Sequence, residues 1–121
     1  MSMMFVFLLA ILATAIAAQA ETLAWNAVTT YTDGSSIGTA TVTYQAYWTT
    51  NSNLTGLTAL GTSGTALTRT FNVDTELMPR GSIIYLTSKA TVNGTDSALA
   101  TPLSWNVPTK APAPPGNLRM Q

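Results

Sequence analysis

The sequence has 121 residues, enough for one domain, with five basic and five acidic side chains and neither Cys nor His. Charged residues make up 8% of it, against about 25% in an ordinary soluble domain, so Thr, Ser and Asn must supply the polar surface. Arg69, Arg80, Lys89, Lys110 and Arg119 are scattered and balanced by acids, which argues against a nucleic-acid footprint, and without Cys there is no disulfide framework or thiolate metal site.

Residues 1–20, "MSMMFVFLLAILATAIAAQA", are apolar from Met3 to Ala18 with Thr14 the one polar interruption. The run ends Ala18-Gln19-Ala20, the small-x-small pattern of a signal-peptide cleavage site, but no Lys or Arg precedes it, where secretory signals carry positive charge. The second reading is a retained hydrophobic helix. At the lower limit of about 17 residues for a bilayer span, residues 3–18 would cross a membrane or pack against copies of themselves. The localisation expected is export, to a virion, the cell surface or the extracellular space; the alternative is periplasmic or anchored at the inner membrane.

From Thr22 the apolar period is two rather than 3.6, which predicts strands. "TLAW" puts Leu23 and Trp25 on one face, and "TATVTYQAYW" puts Ala40, Val42, Tyr44, Ala46 and Trp48 together. "ALTRTFNV" aligns Leu67, Phe71 and Val73 with Arg69 among them. "IIYLTSKATV" aligns Ile84, Leu86, Ser88, Ala90 and Val92, and "LATPLSWNV" aligns Leu99, Leu103, Trp105 and Val107. Between them, Asp33-Gly34 sits in a long loop, "GTSG" at 61–64 reads as a break, Pro79 to Gly81 breaks the chain again, and Asn93-Gly94 is a hairpin signal. Turns at about 8–12-residue spacing predict an all-β antiparallel sandwich or barrel, preceded by one N-terminal hydrophobic helix where residues 1–20 are retained. Trp25, Tyr44, Trp48 and Trp105 are the expected core anchors, each Trp able to bury about 150–250 Å².

In this order the motifs resemble a fibronectin type III domain, an immunoglobulin-like sandwich. "TLAWNAVTTYTDGSSI" looks like that family's Trp-bearing second strand and the loop after it. "VTYQAYW" resembles its third strand, "FNVDTELMPRGSIIYLTSKATVNGTDS" its Leu-x-Pro corner with the following strand and hairpin, and "PLSWNVPT" its last strand. The resemblance covers residues 21–109, between the hydrophobic segment 1–20 and a Pro-rich stretch, 110–121. There are two departures. Arg80 lengthens the corner, so that Ile84 takes the place of the family's Tyr and Tyr85 points to the other face. The family's first strand is also absent ahead of Trp25.

A catalytic triad needs a base that this composition lacks, and Asp74 and Glu76 fall on an expected corner rather than in a cleft. Neither a Ca²⁺ loop nor a phosphate loop has its spacing here, so no enzyme activity, cofactor or metal is expected. Two sequons, at Asn53 and Asn93, carry little weight in so Thr-rich a chain. The resemblance implies contacts from the loops at one end, residues 26–38, 61–64 and 93–97. Tyr31, Asp33, Asn93 and Asp96 are the candidates, or they simply shape those loops.

"APPGNLRM" resembles the missing first strand, with Leu118 and Met120 on one face and Asn117 and Arg119 between and beside them. Folding back within the chain is hard. Residues 108–113 reach at most about 20 Å, against roughly 30 Å for the length of a nine-residue strand. Donation to a neighbour's edge strand is one expectation and a disordered tail the other. The function expected is a non-enzymatic structural or interaction subunit of an extracellular or virion assembly, self-associating through the N-terminal helix and the C-terminal strand, with further assembly or surface proteins as partners. The resemblance implies this setting, since such modules are common in phage virions and on bacterial surfaces. The alternatives are a secreted monomeric module that binds glycan or protein through its loops, and a single-pass membrane-anchored domain.

Overall fold

The computed structural model describes residues 20–110 and 112–121; residues 1–19 of the N-terminal hydrophobic segment, expected to be a helix or a cleaved signal, lie outside the described residues, and its expected last residue, Ala20, opens the first strand. Among the described residues the protein is all-β. Seven strands run β1 (Ala20–Ala24), β2 (Val42–Thr49), β3 (Thr58–Gly64), β4 (Thr68–Asn72), β5 (Ile83–Val92), β6 (Thr95–Asp96) and β7 (Leu103–Asn106). All pairings are antiparallel. One sheet is the pair β1-β4; the other has the order β3-β2-β5-β6, with β7 also on β5.

The two sheets meet in a sandwich-like arrangement because their period-two faces are apolar. Ala46, Trp48, Leu60, Phe71, Val73, Met78, Ile84, Leu86 and Val107 form one buried cluster, with Leu23, Trp25 and Trp105 packed against its side. Tyr44 and Trp48 are buried, whereas Trp25 and Trp105 are half-buried. Ring contacts tie the layers together: Phe71 meets Trp105 edge-on at 5.8 Å, and Trp25 lies tilted against Tyr44 at 5.9 Å. The Tyr44 hydroxyl accepts from the Val28 N–H at 2.9 Å, so its burial leaves that oxygen bonded.

Residues 93–94 form the expected two-residue hairpin, with Asn93 at φ 51° and Gly94 at φ 79°, the left-handed pair that matches strand twist. Residues 61–64 differ from expectation. They lie inside β3, and the chain turns only after them, at residues 65–67. The register explains the glycines. Tyr44 pairs with Gly64 but Ala46 with Leu60, so β3 bulges, and Gly61 adopts φ 75°. The carbonyls released from the ladder find side-chain donors: Gln45 Nε2 donates to Gly61 O at 2.9 Å, and Arg69 Nη2 donates to Thr62 O. Residues 61–64 therefore do not form the loop that the resemblance placed at the contact end.

At the corner of residues 73–82, Ile84 is fully buried and Tyr85 turns outward. β1 begins opposite Asn72 and β7 finishes opposite Ile83, so both lie at this corner end of the molecule. Residues 26–41 and the 93–94 hairpin occupy the opposite end.

Candidate functional site

The two layers are unequal in width. A two-stranded sheet covers one that is four strands wide where β6 and β7 share the edge of β5. β4 sits on the β3 side, and there Arg69 closes the gap: its guanidinium crosses from β4 to Thr62 O and packs on Gly61. Among the described residues nothing equivalent closes the β1 side. β1 pairs with β4 and, among the described residues, with no other strand.

The consequence shows in burial. Leu103 shares the inward face of Trp105 yet is 54% exposed, and Leu23, Trp25 and Trp105 are covered only in part. Two adjoining concavities of about 80 and 140 Å³ run along this flank. Leu23, Leu86 and Leu103 line both; Phe71 and Trp105 line one and Trp25 the other. The result is an apolar groove between β1 and β7.

The edge of β1 beside this groove carries hydrogen-bonding groups. The Trp25 N–H donates to Leu67 O at 3.0 Å, toward β4. By the alternation of an antiparallel ladder, the N–H and C=O groups of Leu23 and Glu21 also point to β4, and those of Thr22 and Ala24 point away from it. The short separation of Thr22 Oγ1 and Thr70 Oγ1, 3.1 Å, fits their place in a non-hydrogen-bonded pair.

Residues 112–121 leave the domain at the corner end. Arg80 holds the exit: its Nε and Nη2 donate to the Asp74 carboxylate at 3.0 and 2.8 Å, and its Nη1 donates to Pro108 O at 3.2 Å. Beyond this point Asn117, Leu118, Arg119 and Met120 are exposed, Leu118 by 87% and Met120 by 96%. The hydrogen bond found there is local, Arg119 Nη1 to Asn117 O at 3.3 Å. No residue of 112–121 pairs with a strand of its own domain.

The four loop candidates are not gathered into one site. Tyr31 and Asp96 line a concavity of about 210 Å³ floored by Ile37 and Val92; Asp33 and Asn93 do not. Both acids are committed internally. Asp33 accepts from the Ser35 hydroxyl at 2.6 Å and the Ser35 N–H at 2.9 Å, which hold its carboxyl below the usual range. Asp96 accepts from Lys89 Nζ at 2.8 Å and Thr91 Oγ1 at 2.7 Å, and these two donors lower its pKa. Asn93 occupies a hairpin turn, where its φ is what the fold uses. Among the described residues no group of three or more metal-ligating acids converges.

The sequence pattern singles out Leu118, Met120, Trp25 and Trp105 and places Leu103 on an inward face, but not on an open flank. The signal was present: a Leu on the inward period of the last strand. No family model, curated protein or solved structure matches the chain.

Proposed function

We propose that this protein is a non-enzymatic structural subunit that joins copies of itself in an extracellular or virion assembly. The observation that carries this reading is the state of residues 112–121. They are led away from the domain by Arg80 and present Leu118 and Met120, two large apolar side chains at strand spacing, to solvent. Singly exposed apolar residues are ordinary, but two of them at strand spacing, on a segment that pairs with no strand of its own domain, are the pattern of a strand that adds to another sheet.

Strand order supports the fibronectin type III reading of the domain. Immunoglobulin-type sandwiches set strands B and E in one sheet and C, F and G in the other, with A beside B. β1 and β4 correspond to B and E, and β2, β5 and β7 to C, F and G. The hydrophobic residues 3–18 supply a second means of association in this proposal.

Sedimentation of the full chain over a concentration series tests self-association. Species larger than the 12.7 kDa chain are expected, and deleting residues 112–121 should reduce their size. A chain that stays monomeric throughout, or an assembly of unchanged size after the deletion, overturns the proposal.

The second reading, a binding module acting through its loops, rests on the concavity beside Tyr31, which is 43% exposed. At about 210 Å³ it is smaller than the usual 300–1,000 Å³ of small-molecule sites, and the Asp96 carboxylate is already taken. Titration with a panel of short glycans, read by chemical-shift changes at Tyr31 and Ile37, tests its glycan form; no shift at millimolar ligand removes that form.

A further inference from the structure

We infer that the groove between β1 and β7 is the acceptor for residues 116–121 of a second copy, which enter it as an added strand antiparallel to β1. This rests on the self-association proposed above and specifies where it occurs.

Three observations fit the two surfaces to each other. The groove is largely apolar, with Leu23, Leu103 and Trp105 part-covered along its walls, and it follows β1 over about 16 Å, the length of five strand residues. The donated segment has matching length and period. With Leu118 and Met120 turned into the groove, Asn117, Arg119 and Gln121 fall on the outer face beside Thr22 and Ala24, where solvent accommodates the Arg119 charge. Finally, the backbone groups of Thr22 and Ala24 that point away from β4 offer two donors and two acceptors to a new neighbour.

Direction follows from the ends of the molecule. Residues 112–121 leave at the corner end, whereas β1 runs from the corner end toward the loop end. A segment coming from one copy's corner end meets the next copy at its loop end and continues toward that copy's corner, antiparallel to β1. The contact uses different surfaces on the two copies, so repetition builds a filament or a ring rather than a closed pair.

The chain has no Cys, which makes engineered disulfides a clean test. One full-length chain carries Thr22→Cys or Ala24→Cys, and a second, differently tagged, carries Asn117→Cys or Arg119→Cys. Facing residues in an antiparallel ladder lie about 4.5–5.5 Å apart, within disulfide reach. Oxidation of the mixed, assembled protein should link the two tags at one register and leave Leu23→Cys, on the inner face, unlinked to positions 117 and 119. If Ala24→Cys reacts with position 117 while Thr22→Cys reacts with position 119, the strands are antiparallel; parallel registers overturn the head-to-tail geometry. If assembly persists by sedimentation but neither acceptor position links, the groove assignment falls and the self-association proposal survives. If nothing assembles, both fall. A chain carrying Thr22→Cys and Arg119→Cys together that closes its disulfide as a monomer shows donation within one chain and also overturns the inference.

Discussion

The Arg69 guanidinium lies where a side chain at Gly61 would stand: a Cβ there would come within 2.8 Å of Arg69 Cζ. Gly61 is also at φ 75°, a conformation that costs other residues about 1–2 kcal/mol. The β3 bulge and the Arg69 bridge therefore depend on one another. Gly61→Ala should destabilise the domain by about 1–3 kcal/mol in urea titration, since it adds backbone strain and displaces the guanidinium from Thr62 O. In an Arg69→Ala background the same substitution should cost only the backbone share, about 1–2 kcal/mol. Equal costs in the two backgrounds would mean that the contact is not coupled.

The Asn93-Gly94 turn gives a contrasting pair. Both residues take positive φ, so Gly94→Ala should cost about 1–2 kcal/mol, while Asn93→Gly should be close to neutral. Thermal melts of the two variants check this. A neutral Gly94→Ala would mean that the turn relaxes to another type without loss.

These two glycine sites show how far the sequence could be read. Asn93-Gly94 was legible because a two-residue turn is a local event governed by its own backbone. "GTSG" was not. Glycines at a bulge and at a turn satisfy the same φ requirement, and only the pairing of Tyr44 with Gly64 and Ala46 with Leu60 separates them. Strand faces were legible from period two, including the inward set of β5. Their burial was not, because it depends on what lies opposite: Leu103 and Trp105 follow the same alternation as Ile84 and Leu86, yet half of Leu103 meets solvent because β1 has no outer neighbour among the described residues. Asp96 looked available for contacts for a similar reason, since its partners Lys89 and Thr91 become evident only once the strands pair, whereas the contact of Asp33 with Ser35 is local.

The pH response should be flat through neutrality, since the chain has no His. Asp74 is held below its ordinary value of 3.8 by Arg80, and Asp96 by Lys89 and then Thr91. Carboxylates with lowered folded pKa values stabilise fully above the unfolded value, and that contribution is lost as pH falls through the folded one. Lys89 is shifted up, chiefly by Asp96 and then by Tyr47, so its contribution is complete below its ordinary 10.5 and is lost only at higher pH. Melting temperatures should therefore match between pH 5 and 9 and fall below about pH 4. The fall should be small, because these ion pairs are solvent-accessible. Asp74→Asn should reduce it further, and an unchanged acid response would mean that the Arg80 pair contributes nothing.

Leu60 and Leu103 separate folding from association. Leu60 is wholly buried between the sheets, and Leu60→Ala should cost about 2–5 kcal/mol, the usual result of leaving a cavity in a packed core. Leu103 also points inward but over the open flank, so Leu103→Thr removes contacts that are only partly made within one copy. Its cost in a dilute, monomeric sample should stay below about 1 kcal/mol. Where copies associate, Leu103 faces the added strand, and the same substitution should shift the sedimentation midpoint to at least about tenfold higher concentration, the factor that corresponds to 1.4 kcal/mol of contact. Measuring denaturation and sedimentation on one preparation distinguishes the cases. A variant that loses stability as Leu60→Ala does places Leu103 in the core of the single copy, and a variant unchanged in both measurements leaves the flank without a role in holding copies together.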